Sequence, residues 1–281
     1  MQRGRADRSR RRVIVGELRR GGPRLLIVAA GWGAAIGVLG GMIGLGGAEF
    51  RLPLLIGVFG FVALQAVILN KAMSLVVVFT ALPARLGAVP FDQLAEHWTV
   101  VANLLAGSVV GAWLGAAWAT RMRSATLYRV LAGLLVLIAV AFAVTHVGEV
   151  QALELPPVVR VVAGVAAGAG IGVVAAIMGV AGGELLIPTI VLLFAIDIKT
   201  AGSLSLAVSL PTMLVAFARY RRDDSFRVIR EQWVFVLVMA AGSITGTVLG
   251  GLLLGVVPVP VLVPLLVALL LFSAVRVWRH E

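Results

Sequence analysis

The chain contains no cysteine, which excludes disulfides and thiolate metal sites. Charge is scarce as well. Asp, Glu, Lys and Arg make up 13% of 281 residues, against about a quarter in soluble domains. Its three histidines, His97, His146 and His280, fall at the edges of apolar runs or in the tail without metal-ligand spacing, so no metal is expected. No Ser/His/Asp arrangement, phosphate-binding loop or dinucleotide fingerprint occurs, so neither a cofactor nor an enzyme is expected.

What fills the space is hydrocarbon. The sequence is 60% hydrophobic with a mean hydropathy of +1.06, and apolar runs of membrane-spanning length recur from Leu25 to Val277. This predicts an all-α polytopic membrane protein. The net charge of +11 is concentrated at the N-terminus and in a few loops, as expected of cytoplasmic segments. Residues 1–23 read as an Arg-rich segment contacting anionic lipids rather than nucleic acid.

Two of the apolar runs are broken by the same device. Gly44-Leu45-Gly46-Gly47-Ala48-Glu49-Phe50-Arg51-Leu52-Pro53 has a counterpart in Gly179-Val180-Ala181-Gly182-Gly183-Glu184-Leu185-Leu186-Ile187-Pro188. Gly and Pro weaken a helix, and a carboxylate in hydrocarbon is unfavourable. Paired breaks at corresponding positions of two halves point to a transporter's binding site. An offset of 135 carries Glu49 to Glu184, Pro53 to Pro188, Trp98 to Trp233, and Gly107-Ser108, Gly111 and Gly115 to Gly242-Ser243, Gly246 and Gly250. An internal duplication accounts for this, with repeats at 24–148 and 149–281. Predicted helices cover 24–44, 51–63, 70–90, 98–120 and 124–146, then 159–178, 186–197, 200–219, 232–255 and 259–277.

Arginines decide the expected topology. Arg121, Arg123 and Arg129 lie in one loop, Arg219, Arg221, Arg222, Arg227 and Arg230 in another, and Arg276 and Arg279 at the C-terminus. These segments and the N-terminus are expected in the cytoplasm of a bacterium, the protein sitting in its inner membrane. Each break must then be the bend of a hairpin, and each half crosses an odd number of times. The two repeats are therefore expected to be inverted, each a Gly-broken hairpin plus three helices.

At the bends, Gly46, Gly47, Gly182 and Gly183 are expected to expose backbone N–H groups to an anion at half-helix N-termini; tight helix packing is the alternative, as for Gly111, Gly115, Gly246 and Gly250. Glu49 and Glu184 are candidates for proton coupling, or else cap the following half-helices, and Arg51 is a candidate partner for Glu49. Ser205, Ser209 and Thr212 share one face, with Ser203 near its start. Ser74 and Thr80 are their relatives, with Arg85 farther along. These hydroxyls either line an anion path or satisfy backbone within the bundle. The expected substrate-binding set is Gly46, Gly47, Glu49, Arg51, Ser74, Gly182, Gly183, Glu184, Ser203, Ser205 and Ser209.

Gly44-x-Gly46-Gly47 with Pro53, Gly179-x-x-Gly182-Gly183 with Pro188, Lys71-Ala72-Met73-Ser74 and the Gly107-Ser108-x-x-Gly111-x-x-Leu114-Gly115 block together resemble the TauE/SafE family of permeases, the sulfite-exporter group. The resemblance implies transport of sulfite, a sulfonate or a related sulfur-containing anion across the cytoplasmic membrane, with the anion held at the glycine bends and helix openings. Ala48 and Ala181 stand where the family pattern has glycine, and a Glu follows each break. A carrier for a carboxylate or other small organic anion, and a passive anion channel, are the alternatives.

Overall fold

The computed structural model describes residues 22–43, 47–88, 95–147, 153–252 and 259–279. Among them the secondary structure is helical throughout, and seven helices are long and apolar enough to cross a membrane. The first half of the chain contains α1 (Pro23–Ile43), α2 (Ala48–Gly57), α3 (Ala63–Ala88), α4 (Trp98–Arg121) and α5 (Ser124–Val147). The second contains α6 (Pro157–Met178), α7 (Gly183–Phe194), α8 (Ile198–Tyr220), the short α9 (Arg227–Glu231), α10 (Trp233–Leu252) and α11 (Val259–Trp278).

The two short helices are the hairpin arms. α2 has 10 residues and α7 has 12, roughly 15–18 Å at about 1.5 Å per residue, half of a ~30 Å hydrocarbon core. Each begins at a glycine in the left-handed region, Gly47 at φ 71° and Gly182 at φ 87°. There L side chains are strained. α6 also ends on such a residue, Gly179 at φ 72°. The hairpin arms double back on the preceding helix. A Cβ at Gly47 would lie 2.6 Å from the Ile36 carbonyl oxygen of α1, and one at Gly182 would lie 3.1 Å from Cβ of Ala175 on α6.

Two glycine seams set the bundle. Gly33, Gly37 and Gly41 of α1 face the backbone of Met239, Ser243 and Thr247 of α10, while Gly242, Gly246 and Gly250 face Ala30, Ala34 and Val38 in return. α4 and α6 repeat the arrangement, with Gly107, Gly111 and Gly115 against Val165, Ala169 and Val173, and Gly164, Gly168 and Gly172 against Asn103, Leu104 and Ser108. Small residues at four-residue spacing let backbones meet, which drives helix association in a solvent without a hydrophobic effect. The packing role expected of Gly111, Gly115, Gly246 and Gly250 is the one observed.

Residue numbers rise together along both seams, so α1 runs parallel to α10 and α4 parallel to α6. The first helix of each half therefore packs against a long helix of the other half, α1 on α10 and α6 on α4. Arg219 and Arg222, at the end of α8, sit over the Trp113 ring near the end of α4. Hence α4 and α8 finish at the same end, where α10 and its parallel neighbour α1 begin.

Candidate functional site

The bend between α6 and α7 leaves carbonyls without helical partners, a serious liability away from water. Polar side chains of α3 and α8 reach five of the carbonyls around this bend, two of which, Ala175 and Ala176, also accept from the N–H groups of Val180 and Gly179. Lys71 Nζ donates to the Ala175 oxygen at 2.8 Å and the Val180 oxygen at 2.6 Å. Asn70 Nδ2 donates to Met178 O at 3.1 Å, Ser74 Oγ to Gly179 O at 3.4 Å, and Tyr220 OH to Ala176 O at 2.9 Å. The Lys71 ammonium thus lies at the negative end of the α6 dipole.

Asn70 also ties this bend to the other one. Its same Nδ2 donates to the oxygen of Ala48, the first residue of α2, at 3.0 Å. Its Oδ1 accepts from Arg51 Nε at 3.1 Å, and Arg51 Nη2 reaches Ser74 Oγ at 3.3 Å. The two glycine-flanked bends, 135 residues apart in sequence, therefore meet across one amide.

Glu49 and Glu184 occupy the first turns of α2 and α7 and lie beside one another, with Lys71 near Glu184 and Arg51 near Glu49. All four are buried: Arg51 and Lys71 at 0% exposure, Glu49 at 2% and Glu184 at 8%. Their bonding is incomplete. Both oxygens of Glu184, Oε1 of Glu49 and Nη1 of Arg51 have no hydrogen-bond partner. Unpaired polar atoms inside a protein are rare and mark places where something else binds or changes. Glu184 accepts from no backbone N–H at the start of α7 and so does not cap it. Arg51 serves Asn70 and Ser74 rather than forming a close pair with Glu49.

Among the other expected residues, Gly47, Gly182 and Gly183 stand at the half-helix starts, and Gly46 lies outside the described residues, as do the side chains of Arg85 and its neighbours. The hydroxyls of α8 divide. Ser205 donates to Gly202 O in its own helix, and Thr212 donates to Val208 O and pairs with Ser108 of α4 at 2.7 Å. Thr80 likewise bonds Val76 and Val77 of its own helix. Ser203 and Ser209 are buried without partners. The stripe is thus split between backbone-satisfied and free hydroxyls.

Asn70 and Lys71 were missing from the expected set. With a helix predicted from residue 70, they read as polar residues at its mouth. α3 instead starts at Ala63, which carries both two turns into the bundle. The available signal was Gly57-x-x-Gly60: α2 ends at Gly57, and Gly60 turns the chain at φ 74°.

An all-helical, multi-pass membrane protein with half-helices meeting at a buried charged cluster has the build of a permease. The model of the sulfite exporter TauE/SafE family matches residues 5–142 and 164–281, and the chain belongs to that family. Neither the curated proteins nor the solved structures yield a match.

Proposed function

We propose that this chain is a secondary transporter that exports a small sulfur-containing anion, such as sulfite or an organosulfonate, and that protons are coupled through Glu49 and Glu184. The family implies a permease for sulfur-containing anions. The observation that carries the finer reading is the meeting of both bends at Arg51, Lys71, Glu49 and Glu184, with unpaired atoms on three of the four.

Charge counting supports the coupling. Two cations and two ionised carboxylates make a neutral cluster. One proton shared by the adjacent carboxyls leaves one net positive charge, which a monoanion balances. A buried cluster must stay compensated, so anion and proton would enter and leave together. The half-helix N-termini at Gly47 and Gly182 add positive dipole ends to the same place. Ser203 and Ser209, with their free hydroxyls, are candidate path residues.

The repeats at 24–148 and 149–281 form, in this reading, an inverted pair. Supporting it, α1 begins at the end where α4 finishes, whereas its equivalent α6 runs parallel to α4 and begins at the opposite end. The end with Arg121, Arg123 and Arg219–Arg230 is taken as cytoplasmic in a bacterial inner membrane, with anionic lipid at its arginines.

The test is uptake of sulfite and of a short alkanesulfonate into proteoliposomes under an imposed pH gradient. Proton-driven accumulation is expected in the wild type, and Glu49→Gln and Glu184→Gln should uncouple it. Accumulation that ignores the pH gradient, or persists with unchanged pH dependence in both variants, refutes coupling. A flux that only equilibrates the anion indicates a channel.

A further inference from the structure

A cavity of about 540 Å³ opens at the end opposite the arginine-rich loops, between the starts of α4 and α6 and the corner joining α7 to α8. Its lining includes His97, Asn103, Arg160, Phe194 and Asp197. Here Arg160 is the cation. Its Nη2 donates to Leu155 O at 3.2 Å, but its Nε is buried without a partner. Asn103 ties α4 to α6 through Val161 O at 3.0 Å, and its Oδ1 is also buried and unpaired. A Cβ at Gly164 would strike Asn103 Oδ1 and approach the Phe194 ring, so only glycine fits behind these two lining residues.

The local field favours an anion. α4 and α6 both start at the cavity without a side-chain cap, which brings the positive ends of their dipoles to it. The acid in the lining, Asp197, is engaged elsewhere: its Oδ1 accepts from the Lys199 and Thr200 backbone at 3.0 Å each, capping α8. Those bonds hold its carboxyl below the usual range. Lys199 stands beside it at the exposed rim.

The duplication provides an internal comparison. The 135 offset places Leu25, Val238, Val62 and Gln232 where this cavity has Arg160, Asn103, Asp197 and His97. At that other end the equivalent of Phe194 is Phe59, packed edge-on to Phe235 at 4.9 Å, with Phe61 and Phe235 at 5.6 Å. One end is therefore filled with aromatic rings, while the other is open and polar. Fold alone would not ask for that difference.

We propose that the Arg160 cavity is a docking site for a small oxyanion, sulfonate-like or phosphate-like in chemistry, distinct from the Glu49–Glu184 cluster and serving as its mouth on that side. The docking role rests on the reading of the chain as an anion transporter. Arg160 supplies the charge-assisted bond through the part of its guanidinium that lines the cavity, with the α4 and α6 N-termini contributing positive dipole ends.

The experiment uses full-length protein reconstituted with known sidedness, with sulfite and a short alkanesulfonate as probes supplied from either face. Arg160→Gln should raise KM about tenfold for anion presented at the Arg160 end, the loss of one charged hydrogen bond. KM from the other face should stay unchanged, with the kcat values adjusting so that kcat/KM changes by the same factor in both directions, and Arg160→Lys should recover most of the effect. A purely structural role would shift both faces together, and that outcome, or an unchanged KM at the Arg160 end, overturns the proposal. If replacing phosphatidylglycerol with phosphatidylcholine reproduces the Arg160→Gln shift in the wild type, the oxyanion held is a lipid phosphate and the docking role falls. Absence of anion transport in the wild type would instead defeat the transporter reading itself.

Discussion

Replacing Asn70 with Leu tests whether one amide holds the two bends together. The substitution keeps the volume but removes three buried hydrogen bonds: those to the oxygens of Ala48 and Met178, and that from Arg51 Nε. Hydrogen bonds inside membrane proteins average ~0.6 kcal/mol, so three together are worth about 2 kcal/mol. Full penalties for unpaired buried groups, at ~1–3 kcal/mol each, make that figure a lower bound. At ~2–4 °C per kcal/mol the melting temperature of the purified protein should fall by at least ~4 °C. Asn70→Asp discriminates further. It keeps an acceptor for Arg51 but turns oxygens toward two carbonyls, so it should lose stability even though a charge pair with Arg51 becomes available. Substrate transport should fall with either change, because Glu49 and Glu184 are positioned from the segments that Asn70 bridges. If Asn70→Leu melts with the wild type and transports normally, the bends are held by their glycine packing, and the bridging argument is wrong.

Three simpler outcomes follow from the same geometry. Gly246→Ala would drive a methyl into the Ala34 backbone of α1, whereas Gly251→Ala meets open space. Thermal melts should show the first losing ~1–3 kcal/mol or more and the second unchanged or gaining up to ~1 kcal/mol from helix propensity. Asp197→Asn weakens the cap of α8. Because the folded carboxyl titrates below its unfolded value, its contribution is full above about pH 4 and disappears as pH falls through the lowered value. Melts of wild type and Asp197→Asn should therefore differ at neutral pH and converge in acid. Ser108→Ala removes the partner of Thr212 on α8 but leaves Thr212 its bond to Val208, so melting should drop by no more than ~1 kcal/mol.

Much of this arrangement was legible in the sequence because membrane helices announce themselves by length, and glycine seams by four-residue spacing. The 135 offset sets Gly107–Gly115 beside Gly242–Gly250, and both sets line helix contacts. It also pointed to Glu49 and Glu184, which the fold brings together. The function of Lys71 and Asn70 was hidden for a physical reason. A polar pair at a helix mouth is satisfied by water, but the same pair two turns inside must find protein acceptors. Which case applies depends on where α3 starts, and helix boundaries are the weakest part of any pattern reading. Arg160 was obscured similarly. At the start of the helix predicted over 159–178 it reads as a charge at the membrane surface, and only the convergence of α4, α6 and α7 turns it into the cation of a cavity.

The two halves are not equivalent where charge is concerned, and that asymmetry gives the sharpest test of the central cluster. α3 and α8 start at Ala63 and Ile198, again 135 apart, which puts Ser205 and Leu206 opposite Asn70 and Lys71. Neither carries a charge, so Lys71 has no counterpart on α8. Lys71 has two separable tasks, satisfying the carbonyls of Ala175 and Val180 and compensating the charge of Glu184. Lys71→Met removes both. Removing one member of a buried pair costs ~3–5 kcal/mol when the other is left uncompensated. Glu184→Gln added to Lys71→Met should recover the electrostatic part and leave only the carbonyls unpaid by hydrogen bonds. A double-mutant cycle on thermal stability should therefore show a coupling within ~0.5–3 kcal/mol, with the double variant more stable than Lys71→Met alone. If the two losses simply add, Lys71 serves the bend of α6 and nothing more. The charge counting that links anion and proton would then lose one of its two cations.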